Sequence, residues 1–231
     1  VAGRRRDAAR AGGDRGRSEL PKTPVLGVAL PPYPDDGGPH TMSIPAVRLE
    51  GLGGFDTSRV TVGVVLDIPE PWASYLQSAR EGFGDLQARA IPTHVTLLPP
   101  TSVPADRVDE IVAHLERVAR DLRAFEVQLE GTGTFRPVSP VVFVRVVSGG
   151  DGCDTVQRAV RTGLLRRDLT FPFHPHVTVA HHLDDDALDR AAKGLAEFSA
   201  SFEANAFVLY EHGADCIWRP RRRFAFGPGP A

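Results

Sequence analysis

Two short stretches of nearly the same composition hold side chains that could do chemistry together. The first is His94-Val95-Thr96-Leu97, inside Ile91-Pro92-Thr93-His94-Val95-Thr96-Leu97-Leu98-Pro99-Pro100. The second is His176-Val177-Thr178-Val179, inside Phe171-Pro172-Phe173-His174-Pro175-His176-Val177-Thr178-Val179-Ala180. Both follow a proline-containing turn and lie in β-branched sequence that favours a strand. Strand side chains alternate between faces, so each histidine shares a face with its threonine, and the aliphatic residues share the other. Two such strands side by side place two imidazoles and two hydroxyls over one cleft.

Imidazole titrates near neutrality, so two of them can hold opposite protonation states at one pH. The neutral ring takes a proton from an attacking water and the imidazolium gives one to a leaving oxygen, each worth roughly 10²–10⁴-fold. Threonine hydroxyls fixed on a strand suit the non-bridging oxygens of a phosphate, whose charge grows in the transition state. This scheme requires no metal and no cofactor. A lone His-x-Thr would read as a strand histidine satisfied by a hydrogen bond. Two copies, each with its histidine opposite an aliphatic face, favour a site.

The surrounding elements follow from the hydrophobic pattern. Residues 1–57 read as a poorly ordered tail and residues 58–228 as the folded domain. The first 41 residues are rich in Arg, Ala, Gly, Pro and Asp, too polar to offset ordering entropy. The only methionine is Met42, which suggests a translation start there. Arg59 to Ile68 is an apolar strand, and Pro71 opens a helix to about Phe83 with Trp72, Tyr75, Leu76 and Ala79 at helical spacing. Pro99, Pro100 and Pro104 predict a stiff turn. Asp106 to Leu122 is an amphipathic helix. Ala124 to Gly131 is a strand, Gly131 to Phe135 a turn, and Val141 to Val147 a strand. Further helices are expected over Cys153 to Leu165 and Asp184 to Phe198, and strands over Ala200 to Tyr210 and Ile217 to Phe226. His94-Val95-Thr96, helix, Phe125-Glu126-Val127 matches His176-Val177-Thr178, helix, Phe202-Glu203-Ala204, an internal repeat with a period near 80 residues. The fold class this implies is α+β: a bilobal duplicated unit, two antiparallel-rich sheets facing a central cleft, with helices outside.

Composition narrows the functions. The 231 residues carry a formal net charge of −2, which does not suit a broad, sequence-blind grip on long DNA or RNA. Two cysteines, Cys153 and Cys216, cannot build a disulfide framework and suit a reducing cytoplasm. No secretory h-region and no run of membrane-spanning length is present.

The paired motifs, their order and the elements between them resemble the two-histidine (2H) phosphoesterase superfamily, and within it the 2′-5′ RNA ligase / RNA 2′,3′-cyclic phosphodiesterase family. Pro92 to Pro100 is similar to that family's first motif, and Phe173 to Ala180 to its second, with the Pro-His lead-in. Gly133-Thr134-Phe135, followed by the apolar strand, is similar to the segment between them. The resemblance covers about residues 58–228. It implies a metal-independent cleft acting on 2′,3′-cyclic phosphates or 2′-5′ linkages, with His94 and His176 as the acid/base pair and Thr96 and Thr178 as phosphate binders. It also implies a nucleotide or RNA terminus as partner, and the chain is expected to be a monomer without membrane or DNA partners. No basic residue stands beside either motif in sequence, so no cation for a long RNA is evident.

Three further residues are candidate substrate contacts. His174 shares the face of His176. Phe135 could stack on a base, although an aromatic there also suits a core. Arg219, with Arg221, Arg222 and Arg223, could attract phosphate or simply charge a hairpin edge. His181 and His182 read as the start of an exposed loop before a helix N-terminus at Asp184-Asp185-Asp186. No carboxylate or cysteine set accompanies His174 and His176, so no metal site is expected. The leading expectation is hydrolysis of a 2′,3′-cyclic phosphate to a 2′-phosphomonoester. The rivals are 2′-5′ RNA ligation at the same site and a nucleotide- or RNA-end-binding module without turnover.

Overall fold

The computed structural model describes residues 58–228; the expected tail and the start at Met42 lie outside the described residues. The elements are β1 (Arg59–Asp67), α1 (Trp72–Gly82), β2 (His94–Pro104), α2 (Val108–Asp121), β3 (Phe125–Thr134), β4 (Val141–Ser148), α3 (Gly150–Val160), β5 (His176–His181), α4 (Asp185–Gly194), β6 (Ser199–Ala204), β7 (Ala206–His212) and β8 (Trp218–Ala225).

The eight strands form an antiparallel array in the order β6-β3-β4-β5-β2-β1-β7-β8. It divides into two four-stranded halves, β6-β3-β4-β5 and β2-β1-β7-β8, joined at their inner edges by the single pair Val95↔Val177. The two expected sheets are thus halves of one array, and the motif strands are the ones that meet. The helices cross over: α1, which follows β1, packs on β5, while α3, which follows β4, packs on β2. One face of both halves is covered by helices. Val62, Val64 and Leu66 of β1, Val127 and Leu129 of β3, and Phe207 and Leu209 of β7 point into that core. In α2, Val108, Ile111, Leu115 and Ala119 are buried at helical spacing. Full burial of each such Val, Leu or Ile contributes about 1.5–3 kcal/mol.

The α4 N-terminus is capped as its acidic sequence predicts, with the Asp184 carboxylate accepting from the Ala187 N–H at 2.7 Å. Several other expectations are corrected. Pro99 and Pro100 do not break β2, because beyond Val95 its only ladder among the described residues is with β1, which carries a bulge between Val62 and Val64. The glycine-rich segment Gly131–Thr134 is not a turn but continues β3 past a bulge. The run Ala200 to Tyr210 is two strands: β6 pairs with β3, and after Asn205 the chain crosses to pair with β1 as β7. Phe125-Glu126-Val127 and Phe202-Glu203-Ala204, matched as a repeat, therefore lie side by side in one half, with Glu126 opposite Glu203. Tyr75, expected inward, is 54% exposed and stacks on Phe198. Trp218 packs on a separate small cluster of Val65, Val208 and Tyr210.

Candidate active site

The pair Val95↔Val177 fixes the geometry of the motifs. Both valines are fully buried, so their neighbours face the other side of the sheet, away from the helices. Antiparallel register then sets His94 across from Thr178 and Thr96 across from His176. Side chains so placed have Cβ atoms about 4.5–5.5 Å apart. The sequence expectation that two imidazoles and two hydroxyls share one surface is met by the backbone itself. Each motif strand also carries a bulge after its threonine: Leu97 is skipped in the β1–β2 ladder and Val179 in the β4–β5 ladder.

The rings are held alike. His94 Nδ1 lies 2.7 Å from the Pro92 carbonyl oxygen, and His176 Nδ1 lies 2.7 Å from that of His174. A carbonyl only accepts, so each Nδ1 carries the proton and donates it. In the neutral ring the Nε2 lone pair is then left for chemistry. Thr96 Oγ1 stands 3.1 Å from His94 Nε2. Burial pushes both imidazoles down to about 4; the carbonyl bonds oppose this. Nearby Arg80 adds to the depression at His94, and His174 and His94 add to it at His176. Both rings are therefore neutral at pH 7 in the unliganded protein.

Buried polar groups position the first motif. Arg80 of α1 donates to Asp85 at 2.8 Å, and both are almost wholly buried. Arg80 Nη1 also donates to the Ile91 carbonyl at 3.3 Å, while Gln77 accepts from the Thr93 N–H at 3.0 Å. The helix thus clamps the segment that delivers His94.

His174 and Phe135 are brought to the site. Their rings lie 5.9 and 5.0 Å from that of His176, and the Phe143 ring lies 5.1 Å from it. Burial lowers the His174 pKa as well. Arg219 is not brought to the histidines: it is held at the β7–β8 turn by two hydrogen bonds donated to the Asp215 carboxylate (2.9 and 2.6 Å). Arg221 and Arg222 are likewise paired, with Glu211 and Glu116. His181 is half-buried rather than part of an exposed loop, its ring 3.8 Å from that of His182, and burial pushes it down to about 4.

Sequence reasoning missed two residues on this face. Asp67 pairs with His94 in register and receives a long hydrogen bond from Tyr210 (3.4 Å); burial raises its pKa. Arg145 pairs with His176 in register. Its signal was present, as the one charged residue in the apolar strand Val141 to Val147. Among the described residues, no three His, Cys, Asp or Glu side chains are grouped to hold a metal ion, and no helix is long and apolar enough to cross a membrane.

Comparison with known proteins agrees with this geometry. The family model of the 2′-5′ RNA ligase superfamily matches residues 68–215, which include both motifs. The chain belongs to this superfamily. Among its relatives, a Bacillus cytotoxicus protein named "Putative phosphoesterase" is 25% identical over 143 residues, 60% of this chain and 81% of its own length. A Bacillus licheniformis protein of the same description is 27% identical over 124 residues, 54% and 72% of the two chains. In fold, the superfamily member described here is similar to E. coli LigT. The LigT structure with ATP gives a TM-score of 0.53 at 19% identity, covering 74% of this chain and 100% of LigT. A crystal structure of a phosphoesterase gives a TM-score of 0.52 at 20% identity, covering 73% of this chain and 99% of that one. The chain is a 2H phosphoesterase by family, with an α+β fold of the LigT type.

Proposed function

We propose that this protein hydrolyses a 2′,3′-cyclic phosphate, on a nucleotide or an RNA end, to a 2′-phosphomonoester, with His94 and His176 as the acid/base pair and Thr96 and Thr178 as hydrogen-bond donors to the phosphate. The observation that carries the reading is the diagonal arrangement of two Nδ1-anchored imidazoles across the Val95↔Val177 pair. One Nε2 accepts the proton of a water that attacks phosphorus. The P–O3′ bond breaks, and the other ring, as imidazolium, donates its Nε2 proton to the departing oxygen. The diester's own negative charge stabilises that imidazolium, which the unliganded site disfavours. The threonine hydroxyls donate to the non-bridging oxygens as their charge grows.

The test is a screen of purified protein, with EDTA present, against nucleoside 2′,3′-cyclic phosphates and short RNAs carrying the same end. Release of 2′-phosphomonoester is the expected result. Joining of the RNA to a 5′-hydroxyl partner instead would make the enzyme a ligase, and tight binding without product would make it a binding module.

A further inference from the structure

We propose that Arg145 forms a second anion subsite, which takes the neighbouring phosphodiester of an oligonucleotide whose cyclic end lies at the histidines. The inference rests on the proposed cyclic phosphodiesterase reading and narrows its substrate class from nucleotides and RNA ends of any length to short RNA ends.

The local backbone is arranged around this side chain. Arg145 shares the face of His176, its partner in the β4–β5 ladder. On its other side β3 is irregular: Thr132 pairs with Val144 and Leu129 with Val146, so Glu130 and Gly131 together oppose Arg145. Gly131 has φ 58°, as a glycine bulge requires. The bulge turns the Glu130 carbonyl toward Arg145, whose Nε donates to it at 3.1 Å. Two glycines keep the path clear. A Cβ on Gly131 would stand 2.9 Å from Arg145 Nη2, and one on Gly133 would stand 3.5 Å from Arg145 Cγ. The guanidinium is thus laid across β3, with its stem on Gly133.

It is also left uncommitted. Among the described residues no carboxylate pairs with Arg145, and neither Nη has a hydrogen-bond acceptor. Arg219, Arg221 and Arg222, by contrast, are each bound to a carboxylate. A partly buried guanidinium fixed through Nε presents its two Nη groups as a ready fork for a phosphate. Two interstrand spacings of about 4.8 Å put it roughly 10 Å from the β5 histidine, too far for the scissile phosphorus and suited to a neighbouring phosphate. Beyond it, Glu126 and Glu203 stand opposite each other on the same face, and their charge repels an anion that runs further. The subsite therefore favours a short end over a long strand.

The experiment compares kcat/KM for uridine 2′,3′-cyclic phosphate with that for a diuridine ending in the same group, in the wild type, Arg145→Gln and Arg145→Lys. The expected wild-type preference for the dinucleotide is about tenfold or more, in the range of a charge-assisted phosphate contact. Arg145→Gln should bring the ratio close to one, and lysine should restore little of it, because it lacks the fixed fork. No wild-type preference, or a preference that survives Arg145→Gln, overturns the proposal while leaving the phosphodiesterase reading intact. If the variants unfold, the wild type alone decides: dinucleotide affinity should fall more steeply with salt than mononucleotide affinity, and parallel slopes overturn the inference. If neither substrate is turned over, the phosphodiesterase reading fails; calorimetric binding of 2′-phosphorylated uridine and diuridine then tests Arg145 by the same ratio.

Discussion

Anion binding should move the titration of the histidine pair by a large and measurable amount. In the unliganded protein both imidazoles sit at about 4, chiefly because burial disfavours the charged ring. An anion about 4 Å from Nε2 attracts an imidazolium by about 4 kcal/mol at an effective dielectric constant of 20. At 1.36 kcal/mol per unit, that raises the pKa by roughly three units, to near 7. Once the first proton is bound, the second ring stays neutral, so the pair carries one proton, as an acid and a base require. The assay is histidine NMR across a pH titration, with and without dimethyl phosphate, a diester that carries one negative charge throughout this range. Because the proton is held more tightly in the complex, dimethyl phosphate affinity should rise about tenfold per unit as pH falls from about 7 to about 4, then level off. Two histidines that titrate near 6.5 without the diester, or fail to move with it, would refute the reasoning.

Other perturbations test the neighbouring structure. Gly133→Ala places a Cβ 2.7 Å from the Phe143 ring, which lies 5.1 Å from the His176 ring; turnover should fall more than tenfold while thermal unfolding shows a loss of about 1–3 kcal/mol. His94, His176 and His181 are each held at about 4, so the unfolded chain binds more protons below its usual 6.5. Stability should be full above about 6.5 and fall as pH drops toward about 4, by up to about 1.4 kcal/mol per unit for each of His94 and His176 and by less for the more exposed His181, as denaturant titrations would show. Burial raises the Cys153 thiol to about 12, whereas Cys216 is exposed; a thiol reagent should label one cysteine in the native protein and two after denaturation.

Much of the fold was legible because local pattern and tertiary role agree. β1 reads as an apolar strand and is central; α2 reads as amphipathic and buries the residues its period selects. The motif histidines were legible because alternation sets each opposite a core valine, and the fold had only to bring two edges together. What the sequence hid depends on long-range pairing. Gly131 and Gly133 read as turn residues, yet they are strand positions kept bare for Arg145 and Phe143. Ala200 to Tyr210 reads as one strand because nothing local marks Asn205 as the crossing between halves. Arg145 escaped notice because its neighbour in the site, His176, is 31 positions away in sequence and adjacent only across the β4–β5 ladder. Arg219 was drawn in by a run of arginines, three of which are met by carboxylates, Asp215, Glu211 and Glu116, while Arg223 donates to Asn205.

The most direct measurement is single-turnover hydrolysis of a nucleoside 2′,3′-cyclic phosphate by the wild type, His94→Ala, His176→Ala and the double variant, with EDTA throughout. If both rings act on one phosphorus, each single variant loses at least about 10²-fold, and the double variant loses much less than the product of the two. Full activity in either single variant would contradict a shared acid/base pair.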